Sequence, residues 1–287
     1  MRQLAHAKIN LWLNVVGRRA PNGEKGGYHL IDSLVAFTDL ADVVEIGPSV
    51  GLSLALDGPF ASLLAGEPGD NLVLKAARLL AGHANVPARA ALRLTKNIPV
   101  AAGLGGGSAD AAAVLRALAD LWHLAAPRRQ IEELAALLGA DVPVCLAGRT
   151  CCVSGVGERL APAPSLPPCA VLLVNPGVAL STAEVFAARQ GEFSRPRPLE
   201  RPWSDLPGLI EALAARGNDL AAPAIALRPA IADVLSFLRN CQETRYASMS
   251  GSGATCFALF ETRDAAHRAA STTPRGWWRH VGPLGSG

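Results

Sequence analysis

Four glycines fall within the five positions 103–107, in the run Gly103-Leu104-Gly105-Gly106-Gly107-Ser108. No other feature restricts the possible folds of this chain so strongly. Such a run can sustain neither a strand nor a helix interior, so the chain must turn there. The chain is then alanine-rich from Ala109 to Leu121, which predicts a helix capped by Ser108 and reaching about Trp122. A tight glycine turn opening directly into a helix sends several backbone N–H groups toward one point. The positive end of the helix dipole is added there, and together these form a cradle for an anion. Two familiar phosphate loops are excluded. A Walker loop needs Gly-Lys-Ser/Thr, and no lysine lies in this turn. A dinucleotide fingerprint needs a third glycine where Ser108 stands and a strand running straight into the turn, which Pro99 interrupts. A flexible turn ahead of an ordinary helix would use the same letters, so the reading needs company.

Two other features supply it. Residues 248–255 carry Ser250-Gly251-Ser252-Gly253 between apolar runs. Taken alone this is a hairpin turn; taken with the first, it suggests two turns sharing one anionic ligand. The segment Gly139-Ala140-Asp141-Val142-Pro143-Val144 sets a carboxylate between a helix stop and a strongly apolar stretch, so burial is expected. A buried aspartate needs hydrogen bonds or a cation. It is read either as a turn- or helix-capping residue or as a general base beside a cation. Lys8 is the candidate cation. Residues 4–16 alternate as a strand, with Ala7, Ile9, Leu11, Leu13 and Val15 on one face and Lys8, Asn10, Trp12 and Asn14 on the other. Only four of the 27 basic residues are lysine (Lys8, Lys25, Lys75, Lys96), which draws attention to each of them.

Half of the 287 residues are hydrophobic and spread evenly, enough for two cores and two domains. No apolar run approaches the ~20 residues of a membrane span, and Lys8, Asn10 and Asn14 break the apolar N-terminal segment. A soluble, cytoplasmic protein with no membrane partner is expected. The formal charge of +3, without a basic stripe interleaved with aromatics, argues against nucleic acid. Six cysteines without a C-x-x-C pair read as reduced thiols. No association helix stands out, which points to a monomer or weak homodimer.

Beyond the first strand, strands are expected at 30–38, 42–46 and 52–57, separated by turn residues, and at 89–95. Helices are expected at 71–83, with Asn71 as N-cap, and at 128–138. A hairpin is expected next, at 149–154 and 158–161, then a strand at 170–174. Helices near 207–215, 218–226 and 229–240 lead to strands 245–249 and 255–260, helix 263–271 and a strand near 277–281. Residues 282–287 read as a frayed tail.

Taken in order, Ala7-Lys8-Ile9-Asn10-Leu11, residues 99–112 and residues 248–256 resemble the three motifs of the GHMP kinase superfamily. Gly27-Tyr28-His29, Asp70-Asn71-Leu72, Gly139-Ala140-Asp141-Val142-Pro143 and Pro176-Gly177-Val178 resemble marks of one branch. That branch phosphorylates 4-diphosphocytidyl-2-C-methyl-D-erythritol in the non-mevalonate isoprenoid pathway. The likeness covers about residues 5–280. It implies an α+β fold of two domains: 1–162, of the ribosomal protein S5 domain 2 type, binding ATP and carrying catalysis, and 163–287, ferredoxin-like, binding substrate. It also implies transfer of the γ-phosphoryl of ATP to the 2-hydroxyl of that substrate, with Mg²⁺.

On this resemblance Asp141 takes the hydroxyl proton and contacts substrate, and Lys8 pairs with it and stabilises developing charge. Pro99, Gly103, Leu104, Gly105, Gly106, Gly107, Ser108 and Ala109 cradle the ATP phosphates, with the Ser108 hydroxyl near Mg²⁺. Asn71 and Lys96 contact the nucleotide. His29 bonds the cytosine edge while Tyr28 and Phe186 stack on the ring, and Asn10 and Thr182 contact the methylerythritol phosphate end. Two departures stand out: the loop 20–26 is enlarged, and Ala109 replaces a second serine. Another kinase of the superfamily, acting on homoserine or a mevalonate derivative, is the nearest alternative. A catalytically silent nucleotide-binding module on the same fold is the more distant one.

Overall fold

Strand β1 (Arg2–Arg18) is buried on both faces over its central part, so Lys8, Asn10, Trp12 and Asn14 are as enclosed as the apolar residues between them. The computed structural model describes residues 1–20, 26–64, 71–124, 128–197, 199 and 202–285. Most of the enlarged loop 20–26 therefore lies outside the described residues, as does Asp70. The chain forms two units. The first comprises Met1–Lys8, Leu40–Val100 and Gly105–Gly148; the second comprises Ile9–Asp39, Ala101–Leu104 and Arg149–Gly287. Both β1 and β2 (His29–Gly47) contribute residues to each. The expected break between strands at 30–38 and 42–46 is absent. Thr38 and Asp42 are fully buried, and Asp42 accepts two backbone hydrogen bonds, so burial overrides the turn propensity of these polar residues.

In the first unit the C-terminal part of β2 pairs antiparallel with β4 (Ala90–Thr95), Val43 opposite Thr95. Strand β4 also pairs in parallel with β3 (Leu52–Asp57). Helix α1 (Leu72–Ala84) starts where expected: the Asn71 side chain accepts from the Val73 N–H at 2.9 Å. It packs on α2 (Gly106–Leu121), whose buried Ala109, Ala111, Ala112, Ala113 and Ala117 present little bulk and so allow close approach. Helix α3 (Arg128–Leu138) and the short α4 (Val142–Ala147) complete the layer. Helix α4 lies within the apolar stretch after Asp141. It is one and a half turns long, too short for a helical period to show in the sequence. Among the described residues, no helix is long and apolar enough to cross a membrane.

In the second unit the N-terminal part of β2 pairs with β5 (Cys151–Gly155), which forms a hairpin with β6 (Arg159–Pro162). A separate antiparallel sheet runs β10-β7-β9-β8, with β7 Ala170–Asn175, β8 Tyr246–Met249, β9 Cys256–Phe260 and β10 Trp278–Pro283. Helices α8 (Ala230–Asn240) and α9 (Arg263–Ser271) pack on it, burying Ile231, Val234, Leu235 and Ala266 against Leu172, Val174 and Phe260. Helices α5 (Thr182–Ala188), α6 (Leu206–Ala214) and α7 (Ala221–Leu227) lie before α8 in the chain. The tail from 282 is not frayed as far as it is described. Gly282 and Pro283 pair with β7, Leu284 is buried, and the Leu284 N–H donates to the Cys169 carbonyl at 3.2 Å. The six cysteines are free thiols.

Leu80 is fully buried on α1. Leu80→Ala should lower unfolding free energy by ~2–5 kcal/mol through lost burial and a residual cavity. Urea denaturation would show this as a lower midpoint at unchanged m-value.

Candidate active site

In the first unit the Lys8 Nζ lies 3.0 Å from Asp141 Oδ2. Lys8 is almost wholly buried, whereas the Asp141 side chain is 40 % exposed, so the burial expected for Asp141 is not found. Position 141 is the N-cap of α4, yet its side chain makes no capping hydrogen bond and turns to the lysine instead. The capping alternative therefore fails on geometry. Helix α4 is steadied from its other end, where the Arg116 guanidinium on α2 donates to the Leu146 carbonyl at 3.0 Å.

The glycine turn reaches this pair. Gly105 has φ +65°, and a Cβ there would come within 2.7 Å of Lys8 Cγ, so only glycine fits. Helix α2 begins at Gly106 with Gly105 as N-cap, which corrects the expectation that Ser108 caps it. Ser108 lies inside the first turn, where its hydroxyl is available to a ligand. Asn71, Gly106, Gly107, Ser108 and the buried Ala109 belong to this unit too, as does Pro99 in the connection from β4.

Behind the helix start lies a buried ion cluster that the sequence reading missed. The Lys96 ammonium donates to Asp42 Oδ2 and, at 2.7 Å, to Asp110 Oδ2. Asp42 Oδ1 accepts from the N–H groups of Asn97 (2.6 Å) and Ile98 (2.8 Å). Lys96 was expected to contact a nucleotide; its side chain is instead enclosed by two carboxylates and 3 % exposed. Burial opposes the lysine charge, but Asp110 and Asp42 outweigh it and hold the pKa above its ordinary value. Burial pushes the Asp110 carboxyl up to about 8, with Asp42 adding to the rise and Lys96 opposing it. One signal for Asp110 was available: it is an acid followed at once by three alanines and Val114-Leu115, an apolar run that marks a buried position.

In the second unit the two glycine turns meet. The Ser250 hydroxyl donates to the Gly103 carbonyl at 3.0 Å, and the Thr255 N–H donates to the Ala102 carbonyl at 3.2 Å. Leu104 is buried here. Asn10 and Thr182 join the same turn: the Asn10 N–H donates to Ser250 Oγ at 3.2 Å, and Thr182 Oγ1 lies 2.8 Å from Ser252 Oγ. At another place in this unit His29 stacks on Phe186, ring centres 5.1 Å apart, while Tyr28 is exposed. The Arg18 Nε donates to His29 Nε2 at 3.2 Å, which assigns the ring hydrogen to Nδ1. Partial burial, then Arg18 and Arg189, lower the His29 pKa and favour the neutral ring. Just upstream of Tyr28, the Arg19 N–H donates to its carbonyl at 2.8 Å, closing the β1–β2 connection.

The family model for the GHMP kinases N terminal domain matches residues 71–149, and that for the GHMP kinases C terminal region matches 200–275. The chain belongs to the GHMP kinases and is an ATP-dependent small-molecule kinase of the two-domain α+β fold. Its curated relatives include the 4-diphosphocytidyl-2-C-methyl-D-erythritol kinases of Paramagnetospirillum magneticum and Paracoccus denitrificans. The first is 50 % identical, covering 96 % of this chain and 95 % of the relative; the second is 54 % identical, covering 96 % and 94 %. A crystal structure of 4-(cytidine 5'-diphospho)-2C-methyl-D-erythritol kinase superposes with TM-score 0.79 at 37 % identity over the whole of both chains. Homoserine kinase from Cytophaga hutchinsonii, at 17 % identity and TM-score 0.67 over 97 % and 95 % of the two chains, shares the fold.

The raised Asp110 pKa has a consequence for stability. Between the ordinary value of 3.8 and about 8 the folded state holds a proton that the unfolded chain releases. Stability from this group is therefore full below 3.8 and falls as pH rises through 8. Asp110→Asn should flatten that decline, measured by urea denaturation across this range.

Proposed function

We propose that this kinase transfers the γ-phosphoryl group of ATP to the 2-hydroxyl of 4-diphosphocytidyl-2-C-methyl-D-erythritol. The reading rests on the Lys8–Asp141 pair set beside the amides of the α2 N-terminus. It is supported by relatives about half identical over nearly the full chain, whose names carry that substrate. Asp141 Oδ is the acceptor for the hydroxyl proton, and its partial exposure leaves it accessible to a substrate. Lys8, buried and pinned by Gly105, is the fixed cation beside the oxygen that attacks phosphorus. Phosphoryl transfer passes through a loose, charge-rich transition state, so positioned donors do most of the catalysis. The N–H groups at 105–108 supply such donors without reorganisation, and the α2 dipole adds to them, whereas the Ala109 N–H is already bonded to the Gly105 carbonyl at 2.9 Å. Asn71 lies at the N-terminus of α1, in the same unit, as a nucleotide contact.

Among the described residues no group of three or more His, Cys, Asp or Glu side chains is placed to hold a metal. That suits Mg²⁺, which keeps waters and takes its remaining ligands chiefly from phosphate oxygens. The Ser108 hydroxyl in the first turn of α2 is the side chain that would reach it, and the ion would neutralise phosphate charge. In the second unit His29 reads the cytosine edge beside Phe186 and the exposed Tyr28, and Asn10 and Thr182 take the methylerythritol phosphate end. The same reading assigns ATP and the catalytic pair to residues 1–162 and further substrate contacts to 163–287, in a cytoplasmic monomer or weak homodimer.

A coupled ADP-release assay with ATP, Mg²⁺ and the diphosphocytidyl compound tests the assignment, with homoserine and mevalonate as competing acceptors. Turnover confined to either competitor would overturn it. Asp141→Asn should lower kcat by about 10³-fold while ATP binding persists. His29→Ala should raise the substrate KM more than it lowers kcat. Because the His29 pKa lies below 6.5, the wild-type KM should be level above that pH and rise on acidification below it as the ring gains a proton.

A further inference from the structure

The aromatic group around His29 has a third member that neither the motifs nor the comparisons assign. Phe193 meets His29 edge-on, ring centres 6.5 Å apart and planes at 66°. It is 46 % exposed, one of the few large apolar side chains so open to solvent. A single exposed phenylalanine is ordinary on a protein surface. This one, however, is held in place. The Arg189 guanidinium lies over its ring, 5.1 Å from the centre, and donates to the carbonyls of Gly191 and Glu192. The next residue, Ser194, is fastened to β1: its N–H donates to the Val15 carbonyl at 2.9 Å and its hydroxyl to Asp219 Oδ2 at 2.8 Å. Asp219 in turn accepts from the Val15 N–H at 2.7 Å.

We infer that Phe193 is a specificity residue, a further aromatic surface for the pyrimidine ring of the substrate in addition to Phe186 and Tyr28. The inference rests on the proposal of a cytidyl substrate. One face of Phe193 is covered by a guanidinium, His29 meets the ring at 66°, and nearly half of the side chain stays open to solvent. A base whose edge bonds His29 therefore finds an aromatic surface beside it, already ordered. Phe186 alone is a poorer platform, because His29 stacks against one of its faces at 5.1 Å and leaves no gap for a base there. Arg18 and Arg189 add positive charge around the ring cluster, which suits the diphosphate attached to the base.

The test compares Phe193→Leu, which keeps apolar bulk without a ring, with Phe193→Tyr, which keeps the ring. Equilibrium binding of cytidine 5'-diphosphate is measured alongside steady-state kinetics. Stacking on an aromatic contributes enough that its loss should weaken cytidine diphosphate binding and raise the substrate KM by about tenfold in the leucine variant. The tyrosine variant should stay within about twofold of wild type, and the KM for ATP should not move in either. Equal cytidine diphosphate affinity in all three proteins would overturn the inference, as would an equal loss in both variants or no binding by wild type. Selective loss in the leucine variant without turnover of the diphosphocytidyl compound would uphold the platform and count against the proposed reaction.

Discussion

The closeness of Gly105 to the stem of Lys8 is the constraint on which the Lys8–Asp141 arrangement depends. With no Cβ at 105 the turn lies directly against the lysine, and its left-handed backbone then opens α2. One contact thus sets the distance between a buried cation and a row of unpaired N–H groups. The lysine is held along its length by the turn and at its end by Asp141, so its charge cannot wander. Asp141 keeps 40 % of its side chain exposed while Lys8 is buried, so the pair stays open to a ligand from the carboxylate side. Its value is chemical: a carboxylate kept in one place next to a fixed positive charge.

Behind that arrangement the Asp42–Lys96–Asp110 cluster ties two elements, β2 and the end of β4, to the start of α2. Asp42 comes from β2, Lys96 from the end of β4 and Asp110 from the helix. Charges at this depth are costly unless paired and hydrogen-bonded, and here all but Asp110 Oδ1 find partners among the described residues. Asp42 also captures the first two N–H groups beyond Lys96, fixing the chain's direction as it leaves the sheet. The same strategy recurs in the second unit, where Ser250 accepts from the Asn10 N–H and donates to the Gly103 carbonyl. In both units polar side chains, rather than regular pairing, determine the course of the irregular backbone.

The fold is shared with kinases of other substrates, including homoserine kinase and mevalonate kinase, at sequence identities where only architecture is common. Substrate choice therefore resides in side chains placed on that architecture. On the proposed reading the distinguishing group is His29 with Phe186, Phe193, Arg18 and Arg189, drawn from the start of β2, from α5, from the end of β1 and from the segment after α5. A neutral imidazole among aromatic rings and guanidinium groups is suited to a base carrying phosphates, and poorly suited to a small carboxylic acid alone.

Local sequence by itself determined the glycine turn and the helix after it, because no other backbone accommodates four glycines followed by alanines. It determined the Asn71 cap and the alternation of β1, and motif order determined the family. Tertiary structure decided the rest. Whether β2 breaks at Thr38–Asp42 depends on what covers those residues, and burial kept the strand continuous. Helix α4 is too short to show a period, and it is held by Arg116 from another helix. The depth of Lys96 and the exposure of Asp141 both run against what their neighbours in the chain suggest, since solvent access depends on distant segments. Phe193 carries no motif; its place beside His29 comes from hydrogen bonds between Ser194, Val15 and Asp219, residues far apart in the chain and close only after folding.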